Sequence, residues 1–129
     1  MKRKTVKTFR ASITVGLQIG YSQEVISWNA LKSSIVSAQK EVYEKFNTVL
    51  SAKVSLCEII CLGQEEPSAT IEFIQYPKFI YEEELLKASI IIFTERVQQV
   101  LEQNRTVIVF DDETIMLEKT NKIDPNINI

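Results

Sequence analysis

Apolar and polar residues alternate without a break near the start of the chain. Ala11, Ile13, Val15, Leu17 and Ile19 fall on one side and Ser12, Thr14, Gly16 and Gln18 on the other, the period-two pattern of a strand with one buried face. Gly20-Tyr21-Ser22-Gln23 reads as a loop, and Ser27 stands in an N-cap position. From Trp28 the spacing changes to three and four, through Leu31, Ile35, Ala38, Val42 and Phe46, which predicts a helix to about Asn47 with one apolar stripe. Val54 to Leu62 and Ala69 to Tyr76 then read as strands joined by the polar loop Gly63 to Pro67.

A second helix is predicted from about Glu82 to Gln103, its leading glutamates placed at the positive end of the helix dipole. Leu86, Ile90, Phe93, Val97 and Val100 form its stripe, while Leu85, Ile91 and Ile92 add apolar surface beside it. That surplus predicts a subunit interface, so the chain is expected to form a homo-oligomer through this helix. Thr106 to Phe110 and Thr114 to Glu118 flank an Asp111-Asp112 turn as a second hairpin.

The resulting order is βαββαββ. One antiparallel sheet with both helices on the same face buries these patterns most simply, so the class is α+β, with ferredoxin-like connectivity as one way to thread it. The expected organisation is a basic tip over residues 1–9, a single domain over 10–118 and a flexible polar tail over 119–129.

Composition narrows the chemistry. The 129 residues are 45% apolar and 25% charged, enough for one core without disulfide or metal staples. Lys and Arg number 15 against 17 Asp and Glu, a net charge of -2, and the basic residues Lys2, Arg3, Lys4, Lys7 and Arg10 make a tip rather than a nucleic-acid-binding face. There is no histidine, which removes Ser-His and Cys-His nucleophile pairs, imidazole acid-base catalysis and histidine metal ligands. The alternating start is no signal peptide, no run is long enough to span a bilayer, and a cytoplasmic location is expected, that of the host cell if the chain is phage-encoded. Cys57 and Cys61, four apart on one strand, lie about 13 Å from each other, too far for a disulfide, and are expected to be buried thiols. No cofactor and no metal are expected.

Few residues suggest a site. Asp111, Asp112 and Glu113 suit acid-base work or a divalent cation, but also an ordinary turn. Tyr76-Pro77-Lys78-Phe79-Ile80-Tyr81 places aromatic faces beside a helix N-terminus, a setting for an anion carrying a flat ring as well as for a core cap. Tyr21 is a second candidate ring. Arg10 and Arg105, near strand starts, are within reach of an anion.

Val15-Gly16-Leu17, Gly20-Tyr21-Ser22, Glu66-Pro67, Gln75-Tyr76-Pro77-Lys78-Phe79, and Asn104-Arg105-Thr106-Val107 through Asp112-Glu113-Thr114-Ile115-Met116 together resemble the phage Thoeris anti-defence sponges of the first type described, over roughly residues 10 to 118. The resemblance implies a small oligomeric α+β protein that binds a cyclic ADP-ribose isomer without altering it, and holds cyclic oligonucleotides in some members. It implies Phe79 as the stacking ring, Arg105 as a phosphate or second-site contact and Ser89 as a polar contact. Two positions depart from the pattern: the middle hairpin offers Lys53 rather than an arginine, and Ser89 stands where a larger amide belongs. The expectation is therefore a non-enzymatic sponge for an immune signalling nucleotide. The alternatives are a small ferredoxin-like enzyme using Asp or Glu as acid and base, Asp112 first, and a protein-binding module.

Overall fold

The computed structural model describes residues 1–125. Its elements run β1 (Arg10–Gly16), α1 (Trp28–Phe46), β2 (Lys53–Cys61), β3 (Gln64–Ile74), α2 (Glu83–Val100), β4 (Arg105–Phe110) and β5 (Thr114–Glu118). The strands form one sheet in the order β2-β3-β1-β4-β5, and every neighbouring pair is antiparallel. The α+β class and the βαββαββ order are as the sequence implies. The first four strands have the split βαβ connectivity of ferredoxin-like folds, with β5 added as a hairpin beside β4.

Both helices cover one sheet face. Ala11, Ile13 and Val15 of β1, Ala69, Ile71 and Phe73 of β3, and Ile108 and Phe110 of β4 share a core with Leu31, Ile35, Ala38 and Val42 of α1 and Leu86, Ile90, Phe93 and Val97 of α2. Phe73 and Phe93 meet edge to face with ring centroids 5.0 Å apart, the arrangement that aromatic quadrupoles favour. Ser27 caps α1 by accepting from the Ala30 N–H at 3.1 Å, and Asn47 ends it in the left-handed region.

Several expectations change. The surplus on α2 is largely used within the chain, since Ile91 and Ile92 pack against the core. Trp28, placed in the α1 stripe by spacing, is exposed. Cys57 is only part-buried and Cys61 is exposed, both with free thiols. The turn of the middle hairpin is Leu62-Gly63, both at positive φ, a two-residue connection of the kind that matches strand twist, so Gln64 to Pro67 belong to β3 and not to a loop. Pro67 is tolerated there because its carbonyl accepts from Leu17 N–H on the β1 side, which aims the missing donor away from β2. As a result β2 and β3 run on as an arm beyond Gly16, whose register partner is Ser68.

Candidate functional site

The structure separates the residues singled out in the sequence into two groups at opposite ends of β1, about 20 Å apart for a strand of this length. Tyr76, Phe79, Arg10 and Lys53 lie toward the N-terminal end of β1, and Tyr21 and Arg105 toward its C-terminal end.

At the first end the Tyr76 and Phe79 rings are 6.0 Å apart and tilted by 32°, and about half of each is exposed. The crevice beside them, walled by Leu50, Phe73, Tyr81 and Leu86, has room for about 20 Å³. That holds a single water and no purine. Ser89, the expected polar contact, is 0% exposed and donates to Thr48 Oγ1 at 3.1 Å, so it fastens α2 to the segment after α1 and cannot reach a ligand. Arg10 is paired with Asp111 at 3.6 Å, and Lys53 is exposed across from Glu72.

Asp112, the expected acid or base, is also engaged. Lys87 Nζ sits 2.8 Å from each of its oxygens and 3.6 Å from Glu113. The hydrogen bond from Lys87 holds the Asp112 carboxyl below its ordinary range, with the charge of Lys87 adding to it. A carboxylate held this way is a tether, not a proton acceptor.

The other end gathers residues that sequence spacing did not connect. Gly16 closes β1 without a side chain, and the space this leaves is filled from two directions. A β-carbon there would stand 2.6 Å from Gln103 Oε1 and closer still to Glu66 Oε1. Glu66 arrives from the arm of β3, on the same face as Gln64 and Ser68. Gln103 arrives after α2, where Glu102 takes a positive φ, and its amide is pinned by donating to the Gln18 carbonyl at 2.7 Å and the Leu101 carbonyl at 3.0 Å. Burial, and then the nearby charge of Asp124, push the Glu66 carboxyl above its ordinary value. The result is a notch floored by Gly16, in which a part-buried carboxylate and an amide oxygen converge.

Beside the notch, Arg105 binds Glu118 through Nε and donates from Nη1 to Tyr21 Oη at 2.9 Å. Its guanidinium is stabilised in the charged form first by that Glu118 bond. Asn104 Nδ2 also reaches Tyr21 Oη, at 2.9 Å. Arg105 and Tyr21, expected to contact a ligand, are therefore brought together, but largely in each other's service. From Glu66 the other sheet face continues past Ser68, which is buried and donates to the Glu66 carbonyl at 3.2 Å, to the part-buried Thr70 on β3 and Thr14 and Ser12 on β1.

Glu66 escaped the sequence reading because it sits in a Gly-Gln-Glu-Glu-Pro run that looks like a polar turn. The available signal was Leu62-Gly63, which as a two-residue turn puts Glu66 in a strand. Chemically the notch suits a cationic group: it offers negative charge in a partly desolvated place and a neutral acceptor beside it. No group of three or more His, Cys, Asp or Glu placed to hold a metal occurs among the described residues, and no helix among them is long and apolar enough to cross a membrane.

No family model matches the chain, and no curated protein matches it. Among solved structures, a phage SAM lyase in complex with S-methyl-5'-thioadenosine shares the fold at a TM-score of 0.66 and 13% identity, covering 92% of this chain and 95% of that one. A phage SAM lyase in the apo state shares it at 0.62 with the same identity and coverage. These neighbours overturn the expectation of a non-enzymatic sponge for a cyclic ADP-ribose-type signal. That expectation rested on the missing histidine, the Tyr76 to Tyr81 rings and the motif resemblance, whereas the chains that share the fold nearly end to end are those of an enzyme, one with S-methyl-5'-thioadenosine bound and one in the apo state.

Proposed function

We propose that this protein is a lyase acting on S-adenosylmethionine or a closely related sulfonium nucleoside, with Glu66 as the residue that receives the substrate's positive end. The observation that carries the reading is the Glu66 notch: a carboxylate raised by burial and by Asp124, held against Gly16 beside Gln103, in a chain with the fold of a phage SAM lyase.

The substrate class fits that chemistry. S-adenosylmethionine carries a sulfonium and an α-ammonium, and a part-buried anion attracts both more strongly than it would in water. Cleavage to S-methyl-5'-thioadenosine breaks the bond between sulfur and the γ-carbon of the methionyl chain, and the electron pair stays on sulfur as a neutral thioether. The substrate's own carboxylate closes on that carbon to give a lactone, so atoms and charge balance with no water, proton donor or histidine. The protein's part is to bind, fold and desolvate. Glu66 and Gln103 Oε1 accept from the ammonium, which turns the substrate carboxylate toward the γ-carbon. The part-buried Thr70 and Thr14 hydroxyls line the adjoining face for the ribose.

A substrate of this class is met in the cytoplasm, that of the host cell if the chain is phage-encoded. Self-association, expected from the second helix, is better supported by the β2–β3 arm, where Leu56, Ile59, Ile60 and Leu62 are exposed together.

The test is incubation of the protein with S-adenosylmethionine and mass spectrometry of the products. S-methyl-5'-thioadenosine and the lactone should accumulate, and Glu66→Gln should slow their formation at least about 100-fold with an unchanged circular dichroism spectrum. Quantitative recovery of intact S-adenosylmethionine from the wild-type protein refutes the reading.

A further inference from the structure

β2 is the outermost strand of the sheet, and its free side carries a defined set of donors and acceptors. Leu17 N–H donates to the Pro67 carbonyl at 2.8 Å, so the odd-numbered residues of β3 bond toward β1 and the even-numbered ones toward β2. Their partners on β2 are odd-numbered, Cys57 for Ser68 and Ile59 for Glu66. Val54, Leu56, Glu58 and Ile60 therefore turn N–H and C=O away from β3, where none of these groups meets a partner among the described residues.

Such an edge takes up a further strand unless something blunts it. β2 contains no proline, its charges are Lys53 at the start and Glu58, and its register with β3 runs without a bulge from Lys53 to Cys61. The same four residues project their side chains to the helix side of the sheet, where Val54 packs against the core. Leu56 is 63% exposed and Ile60 69%, so the free edge is apolar as well as unpaired.

The occupant follows from the strand itself. Antiparallel pairing of β2 with a second β2 is two-fold symmetric, and one register uses every outward group: Val54 of each copy opposite Ile60 of the other, and Leu56 opposite Glu58. Moving the axis by one residue leaves Val54 or Ile60 without a strand partner, and moving it toward the turn also sets Glu58 against Glu58.

We propose that two copies of this chain join edge to edge through β2, antiparallel about a two-fold axis at Cys57, into one continuous sheet with five strands from each copy. The outward residues exchange about eight backbone hydrogen bonds, and Val54, Leu56 and Ile60 of the two copies close over the seam on the helix side. On the open face Cys57 meets Cys57 in a non-hydrogen-bonded pair, with Cα atoms about 4.5 Å apart. That separation lies within the span of a disulfide. Cys57, a free thiol now 3.4 Å from Thr70 Oγ1, thus reports the register.

The test uses the full chain. Sedimentation equilibrium should give a dimer, and oxidation with diamide should link Cys57 to Cys57, as identified by non-reducing peptide mapping. Cys57→Ser should lose the covalent dimer and keep the non-covalent one, while Cys61→Ser should keep both. Ile60→Lys, at an exposed position, should keep its circular dichroism spectrum and raise the dimer dissociation constant at least about tenfold. A monomeric wild type, self-association that Ile60→Lys leaves unchanged, or an assembly whose links join Cys61 and not Cys57 overturns the edge pairing.

Discussion

Lys87, on the sheet-facing side of α2, clamps Asp112 in the β4–β5 turn with Nζ 2.8 Å from both carboxylate oxygens. The ammonium also lies 5.3 Å from the centre of the Phe110 ring, and the Lys87 side chain is largely buried while that of Asp112 is exposed. The pair ties the helix layer to the far edge of the sheet. Asp112 is held below its ordinary value by Lys87, so its contribution is present above the unfolded carboxyl value and is lost as pH falls through the lower folded one. Lys87 is raised by the same bond, so its contribution persists into alkali and fades only as pH rises through the raised value. Asp112→Asn should therefore lower the thermal midpoint at pH 7 and leave it unchanged near pH 2. Denaturation scans across that range check this, and an equal deficit at pH 2 would show that the loss is not electrostatic.

Gly16→Ala tests the notch without touching a charge. The added methyl meets Glu66 Oε1 and, at 2.6 Å, Gln103 Oε1. Gln103 is pinned by two backbone carbonyls, so Glu66 is the group that yields. Overpacking of this kind costs about 1–3 kcal/mol, and the displaced carboxylate should cost more activity than Ser12→Ala on the same strand face. Parallel denaturant and turnover assays of the two variants measure it, and equal activities would remove Gly16 from the site.

The elements were legible because their periods are clean. Val15 and Ile13 alternate with Thr14 and Ser12, Leu31 to Val42 hold a helical stripe, and both patterns sit where they point. What spacing could not give was contact between distant segments. Gln103 and Glu66 meet only because Gly16 leaves room between β3 and the end of α2, and Lys87 and Asp112 meet across two elements. Phe79 and Tyr76 looked like a binding platform from composition alone, but whether two rings leave a slot is a matter of packing. Here the crevice beside them has room for about 20 Å³. Ser89 entered only through the resemblance, and a serine on a helix is polar in the sequence whether it faces solvent or, as here, Thr48.

Leu62 sits at φ 49° beside Gly63 at φ 86°. A branched apolar residue in the left-handed region is strained by roughly 1–2 kcal/mol, whereas asparagine before glycine is the favoured pair for this turn. Leu62→Asn should raise stability by up to about 1 kcal/mol while removing an exposed apolar side chain from the arm. If the arm mediates self-association, the variant should also elute later from a sizing column at equal concentration. A lower thermal midpoint would mean that Leu62 packs against a partner.

Glu66 should carry a stability cost in exchange for its place in the notch. Its carboxyl is raised above the ordinary value by burial and by Asp124, so folding favours the protonated form. The fold is then most at ease below the unfolded carboxyl value and loses stability as pH rises through the raised folded value, where the charge must be held partly desolvated. Glu66→Gln keeps the shape and drops the charge. It should be more stable than wild type at pH 7 and equal to it near pH 3, the opposite trend to Asp112→Asn, whose deficit grows with pH. A residue whose removal stabilises the fold and abolishes turnover behaves as a functional group rather than a structural one. Thermal scans at the two pH values, paired with product formation from S-adenosylmethionine, decide it: a Glu66→Gln protein less stable than wild type at pH 7 would make Glu66 a structural partner of Gln103 instead.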